Sequence, residues 1–267
     1  MRARHAAALG ALHGPAELVP VSSSAHVALA AWLVGWGDAS GARRKELEVL
    51  LHAGTGVALG WVLRREAAGA LRARSARRAA MHLLALGVPS AIGLAFEETV
   101  EERLGTPVAT AAGLVAGAVL LVGADAIPEG SRRAADAGPV DGVLLGLAQA
   151  AALWPGVSRR GATLAAARLR GYGREEASAL SWEIALPVLV AATALKGRRL
   201  LSDPPAPDGR VALAAGALAA LGSTLAAAPL LRAVERGPWW PYAAERVGLA
   251  GVVWARSRRP ACEDRGR

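Results

Sequence analysis

The sequence predicts an all-α integral membrane protein, an inverted repeat in which each half is one re-entrant helical hairpin plus three transmembrane helices, six full spans in total. Three observations predict it. Of the 267 residues, 53% are hydrophobic, and the apolar windows approach the roughly 20 residues a spanning helix needs. These windows lack a polar face, and the charges collect between them, whereas a surface helix interleaves the two. Two other apolar stretches are broken midway by proline and polar residues. The order of broken stretch and spans occurs twice, with Pro20 and Pro155, Ser23 and Ser158, and Glu48 and Glu183 each 135 residues apart. The expected organisation is a single membrane domain over 1–255, with halves of about 6–127 and 140–255, and a polar tail over 256–267.

Residues 6–36 are apolar but interrupted at Gly14-Pro15 and at Pro20-Val21-Ser22, too broken for one clean span. Two half-helices meeting at a polar turn satisfy the backbone better at membrane depth. Trp32 and Trp36 suit the headgroup level. After the polar loop 37–45, spans are expected at about 46–63, 79–96 and 107–126, with an acidic loop at 97–102 and a polar linker over 128–139. The first of these spans carries Glu48 and His52 one helical turn apart. The second half opens with 141–169, broken at Trp154 to Gly161. Spans follow at about 177–195, 211–231 and 240–255, with a proline-rich loop at 202–209. Three spans is an odd number, so the second half inserts upside down relative to the first, and two broken elements meet near the midplane.

The net charge of +9 comes almost wholly from arginine. These arginines flank apolar runs in short loops instead of forming one basic face, which excludes nucleic-acid binding and fits lipid headgroups as partners. The loop 64–78 holds six arginines and one glutamate. Under the positive-inside rule it belongs in the cytoplasm, which puts both ends of the first hairpin outside and both ends of the second inside. The single cysteine, Cys262, excludes an internal disulfide.

The two broken segments carry the chemistry. Glu17, Ser22, Ser23, Ser24 and His26 cluster around Pro20, and Ser158, Arg159, Arg160 and Thr163 follow Pro155. Hydroxyls, an imidazole and a carboxylate at bilayer depth are costly and persist where they line a cavity. Each half-helix that starts after a polar turn aims free N–H groups and its dipole inward, toward an anion. A guanidinium at 159 or 160 matches two phosphoryl oxygens. Together they describe a phosphate or diphosphate pocket, with the hydroxyls and His26 as nucleophile or proton shuttle. Structural readings exist beside these: the serines as helix caps, His26 as a packed imidazole, the arginines as snorkelling side chains, and Glu48, His52 and Glu183 as pairs holding spans together.

The segments HGPAELVPVSSSAH and ALWPGVSRRGAT resemble the two signature segments of bacterial undecaprenyl-diphosphate phosphatase, and LEVLLHAG and the Ala-Leu-Pro after Glu183 resemble its flanking segments. The resemblance implies a hydrolase of the bacterial cytoplasmic membrane with an outward-facing site. It would release phosphate from a polyprenyl diphosphate, with Mg2+ or Ca2+ as cofactor, and so recycle the lipid carrier of the cell wall. A homodimer stays open. Carried over by position, the catalytic residues are Glu17, Ser23, His26 and Arg159, with Ser23 or His26 as nucleophile and Glu17 as base or metal ligand. Ser22, Ser24, Ser158, Arg160 and Thr163 would bind substrate. The chain departs from the family pattern at His13, where glutamate is usual, at Ala25 for glycine, and at Arg160 for serine. His13 lies one turn from Glu17 and is expected to share the metal, although imidazole suits a hard ion less well than carboxylate does. A transporter or flippase of a similar lipid anion, and a non-catalytic lipid-binding paralogue, are the rival expectations.

Overall fold

A computed structural model of the chain describes residues 2–36, 41–64, 75–202 and 207–258. The helices among them are α1 (Ala3–Leu18), α2 (Ser23–Leu33), α3 (Gly41–Val62), α4 (Ala76–Thr99), α5 (Pro107–Asp125), α6 (Pro139–Ala151), α7 (Arg159–Leu169), α8 (Arg174–Ser202), α9 (Pro207–Ala227), α10 (Leu230–Arg236) and α11 (Trp240–Ser257). No strand occurs among the described residues; Arg132 and Tyr172 form one isolated bridge. Most of the arginine-rich loop 64–78, part of each of the loops 37–45 and 202–209, and the end of the tail with Cys262 lie outside the described residues.

Among the described residues, three helical segments are long and apolar enough to cross a bilayer: Ala76–Phe96, Pro107–Asp125 and Pro207–Ala227. Their outward side chains, among them Leu83, Leu94, Val119 and Leu218, are exposed and apolar, as a lipid-facing surface requires. The other long helices, α3, α8 and α11, carry charges within their apolar windows, and several of these charges are bonded inside the protein.

The two broken stretches fold as helix-turn-helix units, α1–α2 and α6–α7. The first breaks only once, at Val19 to Ser22. Gly14 and Pro15 lie inside α1 instead of interrupting it. The reason is packing: a Cβ on Gly14 would stand 2.1 Å from Ser223 Oγ of α9, so the glycine is what allows α1 and α9 to touch. The anticipated acidic loop at 97–102 is instead helical, ending in a π-helical turn over Val100–Leu104. No glycine or proline falls between 94 and 104 to stop the helix earlier. The span expected at 211–231 divides at Pro229 into α9 and the short α10.

The first arm of each hairpin lies along a span of the opposite half: α1 against α9, and α6 against α4. Both seams are glycine-lined. A Cβ on Gly10 would come within 2.2 Å of the Gly216 carbonyl oxygen, and one on Gly142 within 2.4 Å of the Met81 carbonyl oxygen. Small residues let helix backbones approach closely where lipid supplies no hydrophobic drive. Helix α3 packs on α8, and α5 on α11.

Ring and polar contacts fasten this frame. At the open end of the first hairpin, His5 stacks on Trp36 with ring centroids 4.2 Å apart. At the open end of the second, Asp141 accepts two bonds of 3.0 Å from Arg132 and one of 2.9 Å from Arg170, while Arg174 pairs with Asp125 at 2.7 Å and Glu129 at 2.8 Å. Glu183 joins α8 to α4, through Arg78 and, at 3.0 Å, His82.

Candidate active site

The turns of the two hairpins meet. Residues of Val19-Pro20-Val21-Ser22 and of Ala152 to Ser158 line one cavity, and both turns are joined to α11 by a single side chain. Arg246 is fully buried. It donates from Nη1 to the Pro20 carbonyl at 3.1 Å, and from Nη2 to the Gly156 and Val157 carbonyls at 2.7 and 2.8 Å. Loop carbonyls inside a membrane protein need donors, and one guanidinium serves three of them.

Each turn ends in a strained serine. Ser22 and Ser158 are the only non-glycine residues with positive φ among the described residues, at 78° and 70°. Each occupies the N-cap position of the helix that follows, α2 or α7. The structural correspondence is therefore Ser22 with Ser158 and Ser23 with Arg159, one residue out of step with the 135-residue offset read from Pro20 and Pro155. Strain of this kind persists where surrounding structure fixes it, and it clusters at functional sites. Here it turns the first residues of α2 and α7 toward a common space.

That space is a cavity of about 610 Å³, within the usual size of a ligand site. Glu17, Ser22, Ser23 and Ser24 line it from the first hairpin, and Ser158, Arg159 and Arg160 from the second. Apolar walls come from α4 and α8. Glu17 is the hub. Its Oε2 accepts the Ser23 hydroxyl, and its Oε1 faces Arg159 Nη2 at 3.3 Å. A hydroxyl, its acceptor and a guanidinium from two distant segments are thus within direct reach of one another. Ser158 Oγ accepts from the Gly161 amide at 3.1 Å, so that serine caps α7 as well as facing the cavity.

Two candidates stand elsewhere. His26 is not on the cavity wall. It sits behind the serine turn, donating from Nδ1 to the Ser22 carbonyl at 2.8 Å, with Nε2 2.7 Å from Glu245 Oε1. The hydrogen bond one turn back along α2 aims the ring away from the cavity. Thr163 is buried inside α7, bonded to the Arg159 and Arg160 carbonyls and, at 2.7 Å, to Ser181. Arg160 reaches the cavity only with part of its side chain. Its guanidinium lies 4.0 Å over the Trp182 ring and donates to Ser178 at 3.1 Å.

Beneath Glu17 lies a second cluster. His13 is fully buried in α1, and His52 approaches from α3 with its ring centroid 4.6 Å from that of His13. Their Nε2 atoms lie 4.0 and 3.9 Å from Glu17 Oε2. Ligand atoms of the three residues all lie within 4.8 Å of one another. His13 Nε2 has no hydrogen-bond partner despite its burial, an expensive state for a polar atom unless something binds there. The carboxylate and the orphaned imidazole nitrogen fit a divalent cation.

Sequence reasoning missed Glu245 and Arg246, and it left His52 open between a structural pair with Glu48 and an active group. The signal for the first two was available: adjacent acidic and basic residues in the middle of an apolar window.

The chain matches the model of the family described as bacitracin resistance protein BacA over residues 6–252. It is 36% identical over 266 residues to an undecaprenyl-diphosphatase of Geobacter metallireducens, covering 94% of this chain and 97% of that one. Proteins of the same name from Gemmatimonas aurantiaca and Geobacter sulfurreducens are each 35% identical, over 92% and 94% of this chain and 95% and 97% of theirs. Matches of this extent, together with two polar hairpin turns closing on one cavity, place the chain in the BacA family.

Proposed function

We propose that this protein hydrolyses undecaprenyl diphosphate to the monophosphate and phosphate. The observation that carries the reading is the Ser23–Glu17–Arg159 constellation at the point where two helix N-termini converge. The names of the relatives support the substrate. The distal phosphoryl group enters between the first turns of α2 and α7. Arg159 and the free amides there neutralise its oxygens, as phosphoryl transfer needs above all positioning and charge stabilisation. Ser23 Oγ attacks phosphorus as Glu17 takes its proton, and the bond to the bridging oxygen breaks to release the lipid monophosphate. Glu17 passes that proton to the departing monophosphate and then deprotonates water, which attacks phosphorus and breaks its bond to Ser23 Oγ; the proton goes from Glu17 to Oγ as phosphate leaves. His26, held between Ser22 and Glu245, acts by fixing the serine turn. A divalent cation held by Glu17 and His13 would supply further positive charge for the diphosphate.

The same reading extends to the membrane arrangement. Six spans and two re-entrant hairpins related by an inverted repeat would make the packed pairs α1–α9 and α6–α4 equivalent, and likewise the members of the packed pairs α3–α8 and α5–α11. The arginine loop 64–78 would face the cytoplasm of a bacterial cell, and the site would open outward.

Phosphate release from undecaprenyl diphosphate by purified protein tests the activity. Release that falls by about 100-fold or more in Ser23→Ala and in Glu17→Gln is the expected result. Passage of intact lipid across a vesicle membrane with no phosphate released would replace hydrolysis with transport.

A further inference from the structure

We infer that the ion seated between His13, Glu17 and His52 is a borderline divalent metal of the zinc type, and that this chain does not take Mg2+ or Ca2+ there. The inference rests on the phosphatase reading only for its biological purpose. The site itself stands on the arrangement of three side chains.

The argument begins with hydrogen-bond polarity. Thr55 Oγ donates its proton to the Leu51 carbonyl at 2.8 Å, so toward His13 it can only accept. The contact from His13 Nδ1 to Thr55, at 2.9 Å, therefore requires the proton on Nδ1, and the lone pair falls on Nε2. His52 Nδ1 likewise faces a pure acceptor, the Glu48 carbonyl at 2.8 Å, which puts the lone pair of that ring on Nε2 as well. Both Nε2 atoms lie near the same carboxylate oxygen, at 4.0 and 3.9 Å. No proton is shared across either gap, and the fully buried nitrogen of His13 is left without a partner.

Two imidazoles oriented by hydrogen bonds on their far nitrogens, plus one carboxylate, is the donor set of a catalytic zinc centre with an open fourth position. Donors bound to one such ion stand roughly 3–3.5 Å apart, so the present cluster closes on it by a contraction of about an ångström. The cluster is accessible from the cavity, because Glu17 and His52 line its wall. Mg2+ and Ca2+ instead require six or more oxygen ligands, and here one side chain of three supplies oxygen. Nitrogen donors favour the later first-row ions.

The test is metal binding without lipid present. Protein stripped with chelator is dialysed against Zn2+ in a large excess of Mg2+ and Ca2+, and bound metal is counted by mass spectrometry. Co2+ loading is followed in parallel by its visible absorption. One Zn2+ per chain is expected, with Co2+ bands that change in His52→Gln. His13→Ala and His52→Gln should each weaken Zn2+ binding by at least about tenfold, and Thr55→Val by about tenfold through loss of the orienting acceptor. His13→Glu, which adds an oxygen donor and keeps a ligand in place, should shift preference toward Mg2+. Preferential uptake of Mg2+ or Ca2+ by the parent protein, or undiminished Zn2+ binding in both His13→Ala and His52→Gln, overturns the inference. Stoichiometric Zn2+ binding by a protein that releases no phosphate leaves this site intact and removes the proposed activity instead.

Discussion

Glu17 is the side chain through which the two hairpins touch in the cavity. It receives the Ser23 hydroxyl on one oxygen and the Arg159 guanidinium near the other. Replacing Arg159 with lysine keeps the charge but loses the planar fork, so phosphate release should fall by about tenfold or more, with a further fall in Arg159→Ala. His26 and Glu245 make a different kind of pair. The imidazole bridges the Ser22 carbonyl and Glu245, so the two residues act on the serine turn as a unit. His26→Ala and Glu245→Ala should each lower turnover, and the double variant should fall no further than His26→Ala alone. A turnover comparison of the four proteins, read as a double-mutant cycle, checks this. At this scale the sequence singled out residues that the fold brings together, but not where each one points. Glu17, Ser23 and Arg159 were legible because polar groups inside apolar, proline-broken stretches have few structural uses. The direction of His26 was not, because it depends on a carboxylate 219 residues away.

At the scale of the element, the hairpins are held by close backbone contact and by one buried cation. Gly10→Leu and Gly142→Leu put side chains where another helix's carbonyl oxygen stands 2.2 and 2.4 Å from the Cβ position. Each should cost about 1–3 kcal/mol or more, measured as a lower thermal midpoint in detergent. Arg246→Met leaves three turn carbonyls without their donor, at about 1–3 kcal/mol for each group left bare. That variant should lose activity even where it still folds, because both turns lose their common anchor. The hairpins themselves could be read from Pro20 and Pro155. Their register could not, since the residues that superpose are the two serines with positive φ, and backbone strain leaves no mark in composition. Helix ends were misplaced for the same kind of reason. The acids at 97–102 suggested a loop, yet without glycine or proline the helix ran on through them.

For the whole molecule, the open ends of the two hairpins differ in chemistry. The His5–Trp36 stack closes one mouth, and the Arg132–Asp141–Arg170 lattice closes the other. If these mouths lie on opposite sides of the membrane, single cysteines at Gly35 and Asp136, in a Cys262→Ser background, should react differently with a membrane-impermeant maleimide. In intact cells Gly35→Cys should label and Asp136→Cys should not, and both should label after lysis. Equal labelling of both in intact cells would reject the proposed orientation. The membrane class was readable from composition at this scale. The way each half embraces the other was not, because a glycine seam looks the same in sequence as any other glycine in an alanine-rich helix.

Arg246 also sets an order of events during synthesis. Both signature segments leave the ribosome well before residue 246 does, so for most of translation they exist as two separate, unfastened loops. The catalytic chamber comes into being only when the last helix arrives to fasten them, and a polypeptide cut short ahead of that helix would carry every reactive group and still have no chamber in which to use them.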